Sequence, residues 1–540
     1  MATYYVRADG TVTAANKANA TSDAAASTSL NRSTHNDCSF EPGDIIVISD
    51  AGGEYFNGIY PPSSGTSGNK INYVASGSPI VNGYSLITGW TAEGTANVWK
   101  ATWTNSSPIF ISVNLTVGKK YASTDLASMD TNGDWAFDTV ADEVYLYDDT
   151  SDPDTYSSPG VTGNLYASGI GILEGVGYLN IDGIRVRFCS EGGFRALEPG
   201  NYVTFSNCIA EYCEKGFETG VSTGATYSNL TIEDCTARYN AMVGINPAWN
   251  GQYVTVRRNT AHNNGNVYDS QWMSGIKVFD DTATFIGFDC YENVCYNNGY
   301  NSDSEVQGDG CGIWLDATQG TSGAPNRIHH NLIYDCVGVG IFLEICQYSY
   351  CYGNIVYRTA ETSLAGQSSA NIVVDTRLDF VSSNNLVYNN TVVGGQRGIK
   401  VDAYSKGACE LNNNEVKNNI CVGFSVCALF ADNGGDNDAV NGSGNVYDHN
   451  CFGPEASGFI KWGSSTYDTY AAWKTAHGEA WTQVAGDPLF TNAGSDDYTL
   501  STGSPCIGTA LDDLGAPYNV GLLQASTWPD GVLTGDRDNY

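Results

Sequence analysis

Between about residue 168 and residue 465 the chain keeps returning to one pattern, a Gly followed by Ile or Phe and then alternation. It reads GFRALE from residue 193, GFETGV from 216, GINPAW from 244, GIKVFD from 275 and GIWLDA from 312. It continues as GIFLEI from 340, NIVVDT from 371, GIKVDA from 398, ALFADN from 428 and GFIKWG from 458. Successive copies lie 23, 28, 31, 37, 28, 31, 27, 30 and 30 residues apart. Strand-like alternation inside a period near 30 residues marks short coils that stack on one another. A propeller blade needs four strands in about 40–45 residues, and leucine-rich repeats need a Leu lattice that this chain lacks. The repeat predicts an all-β fold, a right-handed parallel β-helix (solenoid).

A second register runs in phase with the first. Asn207, Asp234, Asn259, Asn293, Asn331, Asn354, Asn390, Asn419 and Asn450 recur once per coil. Stacked amides at a tight bend can bond to the coils above and below, satisfying backbone groups that the bend would orphan. The residues that follow are Cys208, Cys235, Thr260, Val294, Leu332, Ile355, Thr391, Ile420 and Cys451. They are expected to face inward, which makes the cysteines among them small buried hydrophobes. A disulfide between Cys189 and Cys213, one coil apart, stays open.

Outside the repeat the period breaks. Residues 1–95 read as an N-terminal cap and first coils, with strands such as GDIIVIS between Pro/Gly turns. NVWKATW and GDWAFDTVADEVYLYDD place a small inserted β-rich subdomain at 96–165. The parallel core is expected over 166–470, and a closing segment with a polar tail over 471–540. With 25 Lys and Arg against 59 Asp and Glu, the net charge is −34. That balance argues against nucleic acid and against an anionic membrane surface as partners. No apolar run reaches the roughly 18 residues of a membrane span. The opening Met1-Ala2-Thr3-Tyr4-Tyr5 carries no basic-then-apolar signal segment. The expected setting is extracellular or secreted, or virion-associated.

In a Gly-Ile-x-Leu-x strand the Ile and Leu point into the coil and both x positions point away from it. One outward column then reads Phe279, Asp316, Glu344, Asp375, Asp402 and Asp432. Its neighbour reads Lys277, Trp314, Phe342, Val373, Lys400 and Phe430. Carboxylates on consecutive rungs about 4.8 Å apart repel one another. Raised pKa values, interleaved Lys or a bound cation must offset that repulsion, which makes this face the candidate active site. Trp314 is expected to expose a sugar-stacking face, and residues 299–311, 361–370 and 432–444 to form specificity loops. His329 and His330 lack a Cys or His partner at metal spacing and read as loop residues, so no metal ligands are assigned.

The segment GIWLDATQGTSGAPNRIHHNLIYDCVGVGIFLE, residues 312–344, resembles the β-helix glycoside hydrolases that include β-xylosidases. The shared pattern is an Asp in a WLD-type strand, Gln-Gly, an Asn-containing turn, and a Glu on the next coil. The family's His-Gly-Pro segment after the Glu is replaced here by Ile345-Cys346-Gln347-Tyr348. The resemblance implies a retaining hydrolase of a polysaccharide or oligosaccharide, with Asp316 as nucleophile, Glu344 as general acid/base and no cofactor required. One coil of separation, about 5 Å, agrees with retention, whereas inverting pairs need about 6.5–9.5 Å. Asp316 with Asp375, two coils apart, would suit inversion. Trp314, Phe342, Lys277, Lys400, Asp402 and Arg377 are the candidate substrate-binding residues. The same fold could instead carry a polysaccharide lyase acting on a uronate polymer. Lys277, Lys400, Arg195 or Arg377 would then be the base, with Ca2+ held in the acidic column. A phage tailspike or other glycan-binding protein that cleaves nothing is the third reading.

Overall fold

The computed structural model describes residues 1–156, 160–197, 200–220, 226–265, 273–282, 284–300, 310–360, 370–377, 380–403, 410–431, 442–477 and 482–509. The chain forms two compact units, one built mainly from residues 1–219 and 236–244, the other from 220–235, 245–265 and 271 onward.

In the first unit, short strands stack in parallel register along three directions of a coil. Thr3–Val6, Ile45–Ser49, Ile71–Ser76, Leu179–Asp182 and Val203–Ser206 pair in that order. Tyr55–Phe56, Ile80–Asn82, Arg185–Arg187, Ile209–Glu211 and Thr236–Arg238 form the second row. Ile170–Ile172, Gly192–Ala196 and Lys215–Thr219 form the third. Because Ile71 pairs with Leu179 and Ile80 with Arg185, the chain between those coils is an excursion from the stack. It is antiparallel apart from Lys120–Tyr121 beside Trp135–Asp138, and it begins with Tyr84–Leu86 against Val161–Asn164, ahead of the boundary read at residue 96. Trp90, Trp103 and Trp135 anchor its own apolar core with Ile111 and Leu146.

In the second unit the strands of the repeated motif form one parallel row. They are β1 (Ser274–Phe279), β2 (Cys311–Asp316), β3 (Ile341–Glu344), β4 (Ile372–Thr376), β5 (Arg397–Ala403), β6 (Cys427–Ala431) and β7 (Ile460–Trp462). Ile313, Leu315, Ile341, Leu343, Ile372 and Val374 point inward and are fully buried, as the Gly-Ile-x-Leu alternation requires.

The corners are held by amide side chains. Each Asn from Asn259 to Asn419 donates both its backbone N–H and its Nδ2 to the Oδ1 of the next coil's Asn, at 2.9–3.0 Å throughout. The run Asn259, Asn293, Asn331, Asn354, Asn390, Asn419, Asn450 ends on Gln483 Oε1. The residue before each of these Asn bends the chain through the left-handed region, as at Glu292, His330 and Asn418. Asn207 and Asp234 themselves occupy that left-handed position, with φ of 52° and 54°, so they belong one place before the amide column. The Cys235 N–H donates to Asn259 Oδ1 in the place an Asn amide would take.

This shift corrects the inward column. The side chains that reach the coil interior are two residues past the Asn: Ala261, Cys295, Ile333, Val356, Val392 and Cys421, all fully buried. Leu332 and Ile355, one residue past it, face outward and pack with Tyr357 and Tyr498. Cys189 and Cys213 touch as thiols, the Cys189 N–H donating to Cys213 Sγ at 3.4 Å, and form no disulfide.

Candidate active site

The strand register sets the acidic column. Phe279 pairs with Asp316, Asp316 with Glu344, Glu344 with Asp375, and Asp375 with Asp402. In the neighbouring column Lys277, Trp314, Phe342, Val373, Lys400 and Phe430 follow one another in the same way. Asp432 lies outside the described residues, as do most of the three segments expected to be specificity loops.

Pointing away from the coil does not mean pointing into water. Asp316 is 5% exposed, and Glu344 and Asp375 each 1%. Trp314 and Phe342 are also buried, which corrects the exposed sugar platform. Their rings stack on each other with centroids 5.3 Å apart, in a cluster with Cys311, Val339, Ala370 and Val373. Trp314 offers its π face to Lys277, whose Nζ sits 3.1 Å from the ring centroid. Aromatic rungs at the strand spacing satisfy one another face to face, so neither ring is left for a sugar. Lys277 is buried as well, tied to Asp316 Oδ2 at 2.9 Å. Its surroundings are therefore those of a fixed counter-ion.

The like-charge problem is met by protein cations. Lys277 pairs with Asp316, Arg377 with Glu344, and Lys400 with Asp402 at 2.5 Å. Four described carboxylates thus face three cations, and burial decides which of them holds a proton. Glu344 is pushed up to about 7, first by burial and then by the Asp316 charge, against Arg377, Lys277 and the Trp314 indole. Asp375 is pushed well above the usual carboxylate range by burial, with Asp402 and Glu344 adding to it and Lys400 opposing. Burial also lowers the Lys277 ammonium, against the pull of Asp316.

Among the described residues no group of three or more His, Cys, Asp and Glu side chains is arranged to hold a metal ion. Of the column, Asp316, Glu344 and Asp402 are engaged by Lys277, Arg377 and Lys400. Arg195 belongs to the first unit, where it pairs with Glu191 and Glu218. His329 bonds Asp289 at 2.9 Å and stacks between Tyr291 and Tyr352, a packed position on another row of strands.

One group escaped the sequence reading. Around the Phe430 ring stand Lys461 at 4.9 Å, Lys400 at 5.4 Å and Arg397 at 5.4 Å from the centroid. Lys461 is the register partner of Phe430, so the signal was present in GFIKWG once the columns were extended by one coil.

Residues 168–344 match the family described as "Right handed beta helix region". The fold is a right-handed parallel β-helix. Among solved structures, the complex of XylC with xylose is similar with a TM-score of 0.55 at 13% identity, over 83% of each chain. A glycoside hydrolase gives a TM-score of 0.50 at 11% identity, over 83% of this chain and 96% of that one. At these identities the likeness is one of fold. No curated protein sequence matches the chain.

Proposed function

We propose that the protein is a retaining glycoside hydrolase acting on a polysaccharide or oligosaccharide. The observation that carries the reading is the Asp316–Glu344 pair. The two carboxyl groups sit on adjacent strands in direct register, about 4.8 Å apart by sheet geometry. That is the spacing of a nucleophile and an acid/base in retaining enzymes, about 5–5.5 Å. Their surroundings differ as the two roles require. Asp316 has the Lys277 ammonium beside it, while Glu344 holds its proton up to about pH 7.

In the first step the Asp316 carboxylate bonds to the anomeric carbon as the glycosidic bond breaks, and Glu344 gives its proton to the departing oxygen. In the second, the Glu344 carboxylate takes a proton from water, whose oxygen bonds to the anomeric carbon as the ester to Asp316 breaks. Two inversions leave the anomeric configuration retained, with one water added overall. Asp375 is a poorer partner for Asp316, because two rungs span about 9.6 Å and burial pushes it toward its protonated form, which cannot accept a proton.

XylC was captured with xylose, so xylose-containing oligosaccharides are the first to try. The test is digestion of a glycan panel with mass and anomeric analysis of the first products. A gain of one water with retained configuration is expected. Inverted products would remove the Asp316–Glu344 pair, and no product from any glycan would leave a binding protein. Elimination is the second reading, since burial lowers the Lys277 ammonium in the direction a proton-abstracting Lys needs, and it would require Lys277 to leave its pair with Asp316. An unsaturated product absorbing in the ultraviolet, with no water gained, would establish it.

A further inference from the structure

The chain carries 25 cationic side chains against 59 acidic ones, so a convergence of cations on one face calls for a cause. Arg397, Lys400 and Lys461 converge on the single ring of Phe430, all within 5.4 Å of its centroid. Cys427, on the same strand as Phe430, senses all three: burial raises its thiol to about 11 while Arg397, Lys461 and Lys400 each pull it down. Asp402 takes up Lys400. Lys461 forms no ion pair among the described residues, and its side chain is only partly buried. Three cations around one ring repel one another, and a single quadrupole attracts each only weakly. An anion seated against Lys461 would relieve that repulsion, through a charge-assisted bond that a carboxylate or a sulfate can each accept.

The cluster lies on the same row of strands as the proposed catalytic pair. From Glu344 on β3 to Phe430 on β6 is three rungs, about 14 Å by strand spacing. Arg377, paired with Glu344, stands between the two. A glycan chain laid across the rungs would meet the carboxylate pair at one point and the cation cluster a few sugar units away.

We infer that Arg397, Lys400 and Lys461 around Phe430 form a subsite for an anionic substituent, a uronate carboxylate or a sulfate ester, on the glycan that the protein cleaves. The inference rests on the function proposed above and deepens it by naming the class of substrate as acidic. It also accounts for how a chain of net charge −34 holds an anionic ligand, since the repulsion is overcome locally.

The test is binding to the intact Glu344→Gln protein by calorimetry, so that affinity is read without cleavage. The probes are a uronate-bearing xylo-oligosaccharide, the same oligosaccharide with its carboxyl reduced to the alcohol, and a sulfated xylo-oligosaccharide. The acidic probe is expected to bind about tenfold or more tightly than its reduced form, an advantage that shrinks as salt rises. A preference for the sulfated probe would assign the anion to a sulfate ester, and for the carboxylated probe to a uronate. Adding Lys461→Gln should erase the advantage and Lys461→Arg should restore it. Lys461 is only partly buried, and unfolding curves of both variants check that the fold is kept. Equal affinity for acidic and reduced probes, or indifference to Lys461→Gln, overturns the subsite while leaving hydrolysis standing. Failure of every glycan to bind or be cleaved removes both.

Discussion

The basic limb of the pH–rate profile should move when Arg377 loses its charge. Glu344 must carry a proton to act as the acid, and burial holds that proton up to about pH 7. Arg377 opposes the shift by favouring the carboxylate, so Arg377→Gln should raise the Glu344 pKa further and carry the limb to higher pH. Two unit charges about 4 Å apart interact by about 4 kcal/mol at an effective dielectric of about 20. The Arg377 side chain is 41% exposed, so water and salt screen much of that. A residue of about 1.4 kcal/mol corresponds to about one pH unit. The assay is kcat/KM against pH on a substrate found by the glycan panel, which reports the free enzyme. The wild-type limb is expected near pH 7, that of Arg377→Gln near pH 8, and that of Arg377→Lys close to wild type. A limb that stays in place in Arg377→Gln, or moves down, would refute the assignment of Glu344 as the acid, whatever happens to the rate itself.

Asp316→Asn should lose turnover, and added azide should restore it with a glycosyl azide of inverted configuration; near-normal activity without azide takes Asp316 out of the mechanism. Glu344→Gln should slow an unactivated substrate by about 10²–10⁴-fold and a substrate with a good leaving group far less in the first step. Carboxyls whose folded pKa is raised make the folded state less stable as pH climbs. Glu344, moved from 4.5 to about 7, accounts for about 3 kcal/mol lost between those values. Urea unfolding at pH 5 and pH 8 should show that difference shrinking in Glu344→Gln, and an unchanged difference would contradict the burial argument. Asn354→Ala should destabilise the protein by about 3 kcal/mol in the same unfolding assay, because Asn331 N–H, Ile328 C=O and Asn390 Oδ1 lose a buried partner; wild-type stability would mean that the corner amides do little.

The columns of the site were legible in the sequence because β-strand alternation has a period of two and the Gly-Ile-x-Leu motif fixes its phase. Alternation alone therefore puts Asp316, Glu344, Asp375 and Asp402 on one face, where the strand register has them. Exposure was not legible. The same alternation that points Trp314 away from the coil says nothing of what lies over it, and Trp314 stacks on Phe342 beneath Lys277. The inward column beside the Asn register failed for a different reason. A left-handed residue turns each corner, and alternation counted across a corner slips by one, which aligned Cys208 and Cys235 with outward residues such as Leu332, although both are buried free thiols as expected. The dipeptides Asn384-Asn385, Asn389-Asn390, Asn413-Asn414 and Asn418-Asn419 carried the missing information. In each, the first Asn takes the left-handed bend and the second supplies the amide. They also mark a second corner, where Asn385, Asn414 and Asn445 form an amide run of their own.

Those corners bear on the chemistry. Amide runs bonded at 2.9–3.0 Å from coil to coil fix the rise per rung independently of the loops. The separation of Asp316 and Glu344 is then a property of the sheet, and the outcome of the proposed reaction is set by how many rungs part the two carboxyl groups. One rung leaves room for a covalent bond to Asp316, and two rungs would leave room for a water. The partition of protons agrees with the shorter span. Asp375, two rungs from Asp316, is pushed toward its protonated form by burial and by Asp402 and Glu344, which disfavours it as the base that would activate a water. It can instead lie beside Glu344 without adding a full negative charge. Burial and Asp316 raise Glu344 while Arg377 and Lys277 hold it down, which leaves it near the pH at which the proposed acid, also acting as a base, would be most effective.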